Sequence, residues 1–115
     1  KGYGVKKDTK KAFELYLESA VKEVTLGQFE VALMLEEGEG CTKNESESAF
    51  WYEEASKRGN MDAYNNLGAM YKEGRGVEQD YDKAFILFKK AAMSNIVSAQ
   101  FNLGAMYDNG LGCKE

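Results

Sequence analysis

Apolar residues recur along the chain at three- and four-residue steps, in short blocks separated by polar, glycine-bearing stretches. From Asp62 to Glu73, Ala63, Leu67, Met70 and Tyr71 fall on one side of a 3.6-residue period, which predicts an amphipathic helix. Gly68, beside Leu67, carries no side chain and lets a neighbouring helix come close. From about Tyr81 to Met93, Ala84, Leu87, Phe88, Ala91 and Ala92 predict a second helix with its own apolar face. Asp80 stands where a carboxylate can accept from an unpaired first-turn amide, and Asp8 and Asn44 hold the same place before two other blocks. Gly74 follows the first helix, where a left-handed residue ends a helix at little cost. Gly76 is expected to turn the chain back, with Val77 tucked beneath it.

The same pattern returns every 36 residues. "GYGV", "GEGC", "GRGV" and "GLGC" begin at Gly2, Gly38, Gly74 and Gly110. "LGAMY" at Leu67–Tyr71 recurs unchanged at Leu103–Tyr107 and, diverged, as "VALML" at Val31–Leu35. Leu15–Tyr16, Trp51–Tyr52 and Leu87–Phe88 fall in register, as do Ser19–Ala20, Ala55–Ser56 and Ala91–Ala92. One helix pair of this length cannot bury its own apolar faces, whereas stacked copies can. The expected fold is therefore an all-α solenoid of stacked antiparallel helix pairs. Its units are about 1–24 (partial), 25–60, 61–96 and 97–115 (partial).

These residues resemble the Sel-one-like repeat, a relative of the tetratricopeptide repeat. Ala63, Leu67, Gly68, Tyr71, Gly74, Gly76, Val77, Asp80, Lys83, Ala84, Lys90, Ala91 and Ala92 match its pattern, and Trp51–Tyr52 supply its aromatic pair. The resemblance covers the whole chain and implies a right-handed solenoid. The second unit departs most, with Val31–Ala32 for Leu-Gly, Leu35 for Tyr and Ser48 for Ala, and Val24–Leu26 is more apolar than its counterparts. Locally altered packing is expected there. No polar capping helix is visible at either end, so further repeats or a covering element are expected.

Composition removes several functions. A net charge of −4 argues against nucleic acid, which needs a clustered basic face. No apolar run is long enough for membrane insertion. Histidine is absent, and with it the commonest acid–base group and metal ligand. The glycine pairs follow helices and lack the Lys-Ser/Thr or third glycine of phosphate-binding loops, so they read as joints. Cys41 and Cys113 stand where Val5 and Val77 stand in other units, which suggests packing in place of a disulfide or metal site. No catalytic residue, cofactor or metal is expected. Asn44-Glu45-Ser46 is a formal glycosylation sequon, but the capping role at Asn44 is favoured. The unpaired cysteines and the lack of a leader-like segment tilt slightly toward the cytoplasm.

Lys11, Glu47 and Lys83 alternate in sign at one repeat position, and Glu54 aligns with Lys90. Ion pairs across the stack, Glu54 with Lys90 among them, are expected to help set register. The remaining surface suggests protein binding. In related helix repeats the first helix of each pair lines a concave groove, and the resemblance carries that role to matching positions. These are Phe29, Glu30, Leu33 and Glu37; then Asn65, Asn66, Ala69 and Glu73; then Phe101, Asn102, Ala105 and Asn109. Phe29 and Phe101 read as aromatic anchors and Asn66 and Asn102 as binders of a peptide backbone. The competing reading buries the two phenylalanines between helices. The function implied is an adaptor or scaffold for protein partners. Two alternatives remain at this point: the docking region of a larger enzyme such as a kinase, and a secreted small-molecule-binding or hydrolytic repeat.

Overall fold

A computed structural model describes residues 7–112 of the chain. Six helices follow one another: α1 (Thr9–Val21), α2 (Thr25–Glu37), α3 (Glu45–Lys57), α4 (Met61–Glu73), α5 (Tyr81–Met93) and α6 (Val97–Asn109). Each is 13 residues long, and helices of alternate rank begin 36 residues apart. They stack into an all-α solenoid with extents of 57 × 27 × 26 Å. The glycine pair at Gly2 and Gly4, Val5 and Cys113 lie outside the described residues.

Local chemistry explains where the helices begin and end. The side chains of Asp8, Asn44 and Asp80 each accept the backbone N–H three residues on, at 3.0 Å, which satisfies an amide left over at the first turn. Gly38, Gly74 and Gly110 close α2, α4 and α6 in the left-handed conformation, with φ of 74°, 68° and 64°. The next residue then turns its N–H back onto the helix, as Arg75 does to the Met70 carbonyl at 3.0 Å. The cap residue of the following helix is tied back as well: the Asp80 N–H donates to the Tyr71 carbonyl and the Asn44 N–H to that of Leu35, both at 2.9 Å.

The second glycine of each pair has a different task. A Cβ on Gly40 would fall on the carbonyl of Thr9, one on Gly76 on that of Glu45, and one on Gly112 on that of Tyr81. Those three residues open α1, α3 and α5. Each long joint therefore rests its backbone on the start of α1, α3 or α5 in the unit before it. The short joints repeat too, with positive φ at Glu23 (68°), Gly59 (98°) and Asn95 (66°). Only one of the three is glycine, so sequence alone did not mark this turn.

The core runs through the stack as linked clusters. Ala20, Val31 and Leu35 pack between the first helices, with Phe13, Leu17, Cys41 and Trp51 against them. Cys41 thus packs as a small apolar group, and burial followed by the nearby Glu47 raises its thiol pKa. Tyr52 and Met70 anchor the middle cluster, and Phe88 and Met106 the next. Phe88 is fully buried over Gly68. Burying such a side chain contributes about 2–3 kcal/mol. In the second unit Ser48 replaces alanine without leaving an orphaned hydroxyl, because its Oγ donates to the Ala32 carbonyl at 2.7 Å. Val24 and Leu26 stay exposed beside this altered packing.

The expected cross-stack ion pair does not form. Glu54 meets Lys57 one turn away at 3.6 Å, and the Lys90 ammonium lies 5.1 Å from the centroid of the Tyr64 ring. Lys83 likewise sits over Tyr71 at 5.2 Å. A carboxylate one turn distant on the same helix needs less ordering than one across an interface, and a ring face suits an ammonium. Ion pairs do bridge units elsewhere, Arg58 with Glu23 at 3.0 Å and Arg75 with Glu36 at 2.9 Å, and they stand beside the close glycine joints.

Two helical glycines give a direct contrast. A Cβ on Gly68 would stand 2.8 Å from the buried Phe88 ring, while one on Gly104 meets no atom within 4 Å among the described residues. Gly68→Ala is expected to cost about 1–2 kcal/mol through overpacking. Gly104→Ala in the same chain should gain about 0.5–1 kcal/mol from helix propensity. Thermal melts followed by circular dichroism check the opposite signs.

Candidate protein-binding surface

On α2, α4 and α6 the candidate residues recur at i, i+1, i+4 and i+8, which places each set along one side of its helix. They meet quite different fates. Phe101 is 77% exposed, while Phe29 is half-buried with its ring centroid 5.8 Å from that of Tyr52. Leu33 is half-buried against the middle core cluster and Ala69 against the Phe88–Met106 cluster. Glu30 and Ala105 are half-buried, and Glu37, Glu73 and Asn109 are exposed.

The asparagines form two hydrogen-bonded groups. Asn65 is buried; its Nδ2 donates to Ser98 Oγ at 3.0 Å, and its Oδ1 accepts from Asn102 Nδ2 at 3.1 Å. That group joins α4 to α6. Asn66 Nδ2 donates to the Tyr52 hydroxyl at 3.3 Å, and the hydroxyl donates onward to Glu36 Oε1 at 2.6 Å. Asn109 Nδ2 bonds back to the Ala105 carbonyl at 2.8 Å. The structure therefore brings Asn65 and Asn102 together and links Asn66 to a separate chain of bonds.

That second chain ends in a charged hub that sequence reasoning missed. Arg75 lies between the two glycines of its joint. Its Nη1 donates to Glu36 Oε2 at 2.9 Å and to Glu45 Oε2 at 3.3 Å, and its Nε donates to Glu73 Oε1 at 2.6 Å. One guanidinium so ties together α2, α3 and α4. Burial opposes the charge on Arg75, but its hydrogen bonds to Glu73, Glu36 and Glu45 outweigh this and raise its pKa. Burial first, and then Glu36, push the Tyr52 hydroxyl well above the ordinary phenol range, so it stays a donor. The hub's one sequence signal was a cation at a position occupied by Tyr3, Glu39 and Leu111 in the other units.

This arrangement holds amides and carboxylates in fixed places and presents one bare aromatic ring. It contains no paired nucleophile and base. No group of three or more potential ligands among the described residues is placed to hold a metal ion. No helix among them is long and apolar enough to cross a membrane.

Comparisons with known proteins fit this geometry. The family model of the Sel1 repeat matches residues 1–20, 25–60, 62–96 and 97–115. A search of curated proteins gave no match. Among solved structures, the chain is similar to c5321, a protective antigen present in uropathogenic Escherichia coli strains and displaying an SLR fold. The identity is 34% and the TM-score 0.93, over 96% of this chain and 24% of that one. It is also similar to a Sel1 repeat protein from Oxalobacter formigenes, with 32% identity and a TM-score of 0.90 over 98% of this chain and 46% of that one. Both relatives are thus much longer than this chain. Helicobacter pylori cysteine rich protein B shares the fold at 22% identity and a TM-score of 0.75, over 82% of this chain and 71% of that one.

Removing the hub's cation leaves Glu36, Glu45 and Glu73 facing one another. Arg75→Met is expected to cost about 1–2 kcal/mol, a value discounted because Arg75 is partly solvated. The loss should shrink as salt screens the carboxylates, and melts at low and high ionic strength measure it.

Proposed function

Since the chain belongs to the Sel1 repeat family, whose members are generally protein-interaction scaffolds, we propose that it binds an extended or helical segment of a partner along α2, α4 and α6. One observation carries this reading. The half-buried Phe29 ring and the Asn66 amide both rest on Tyr52, so an aromatic surface and a fixed amide stand together. That pairing suits a partner that brings an apolar side chain and a backbone N–H. The Oδ1 atoms of Asn66 and Asn102 accept no hydrogen bond from described residues and are free to accept one from a partner backbone. Phe101 and Asn102 stand at the equivalent positions on α6, and Asn102 is held by Asn65. Because the fixed groups are already ordered, a partner meets a low entropic penalty on binding.

The test is capture of partners from the native source by the wild-type chain and by Phe101→Ala and Phe29→Ala. Phe101→Ala should lose partners while its stability stays within about 0.5 kcal/mol of wild type, since an exposed side chain is removed. Phe29→Ala should weaken the same partners and also lower the melting temperature. Unchanged partners with an unchanged fold would remove this surface from the account.

A further inference from the structure

The side of α4 turned away from Asn66, Ala69 and Glu73 carries Tyr64, Leu67 and Tyr71, at i, i+3 and i+7. Above this floor, between α3 and α5, lies a cavity of about 280 Å³. Its lining differs in size from the unit before: the floor is larger, with Tyr64 and Tyr71 for Gln28 and Leu35, and the α5 wall is smaller. Leu87 lines it, and the equivalent residue 36 positions earlier is Trp51. There the indole packs against the Ala20–Val31–Leu35 cluster, with Phe50 edge-on to it at 5.0 Å. In the next unit the smaller Ile86 and Leu87 stand at those two places, with Ile86 64% exposed at the edge of the cavity. The reduced α5 wall and the Tyr64 and Tyr71 rings of the floor suit a large aromatic side chain.

Charge around the opening narrows the choice further. Lys83 and Lys90 lie over the faces of Tyr71 and Tyr64, and neither has a carboxylate partner, whereas Lys57 is already paired with Glu54. Two unpaired ammonium groups thus flank an apolar cavity in a chain of net charge −4. They sit over rings seven residues apart on α4, a separation of about 10 Å. Glu53 lines the cavity itself. Its carboxylate would repel an acid group carried on the inserted ring but can accept from an indole N–H or a phenol O–H. The negative charge must therefore flank the aromatic group, which an acidic peptide does and a small aromatic acid does not.

We propose that this cavity takes a single Trp or Tyr side chain from an acidic segment of a partner protein, with carboxylates on either side of it meeting Lys83 and Lys90. The surface is separate from the one bearing Phe101 and goes beyond the function proposed above. Desolvated aromatic anchors of this kind carry much of an interface's affinity, and the flanking lysines add attraction that salt screens.

The test titrates the isotope-labelled chain with two synthetic peptides, one with a Trp flanked on both sides by Glu and one with Ala in place of that Trp, and follows backbone amide shifts. The Trp peptide should shift Tyr64, Tyr71 and Leu87, weaken with added salt, and bind about 30-fold more tightly than the Ala peptide. Leu87→Trp fills the space and should abolish binding. Lys83→Gln with Lys90→Gln leaves the core untouched and should weaken binding about tenfold, which keeps the test decisive if Leu87→Trp folds poorly. Equal binding of the two peptides, no binding of either, shifts confined to the Phe101 side, or full binding by the lysine variant would overturn the proposal.

Discussion

The close approach of the second glycine in each joint to the first residue of an earlier helix fixes the step between units. No side chain fits between Gly76 and the Glu45 carbonyl, and the same holds for Gly40 on Thr9 and Gly112 on Tyr81. The first glycine ends a helix, which is a local matter. The second constrains how far one unit lies from the next. The core clusters that join Tyr52 to Met70 and Phe88 to Met106 depend on that step, because a shifted unit would part them. Arg75 extends the same joint outward and ties three helices through Glu36, Glu45 and Glu73.

This constraint also arranges the surfaces. Since units repeat at a fixed step, equivalent positions on α2, α4 and α6 form rows, and differences between units become differences in shape. Asn65 and Asn102 meet because their helices lie side by side at that step. The cavity between α3 and α5 is bounded by Ile86 and Leu87 where the unit before has Phe50 and Trp51, and by Tyr64 and Tyr71 where it has Gln28 and Leu35. Periodicity builds the frame, and departures from periodicity give it specific features.

Much of the frame was legible in the sequence because it depends on near neighbours. Asp8, Asn44 and Asp80 cap helices through amides three residues away, and Gly38, Gly74 and Gly110 need only their own backbone angles. Side chains with several partners in reach were harder to read. Glu54 had Lys57 one turn away, and Lys90 had the Tyr64 ring, so aligned opposite charges did not pair. The burial of Asn65 depends on Ser98 and Asn102, which are more than thirty residues distant. The Arg75 hub likewise joins residues from three helices, and no spacing within one unit announces it. The Trp51 and Leu87 alignment was visible, but its meaning as a volume difference required the neighbouring helices.

The most direct measurement of the central claim is of distances across and within units when Gly76 carries a side chain. In a chain with Cys41→Ser and Cys113→Ser, spin labels on Ser46→Cys and Asp82→Cys span the step from α3 to α5. Labels on Asp62→Cys and Lys89→Cys lie within one unit. Pulsed electron–electron resonance on Gly76→Ala should show the first distance shifted and broadened and the second unchanged. A first distance as narrow and as long as in the glycine form would contradict the account, since the step would then be set by the core alone.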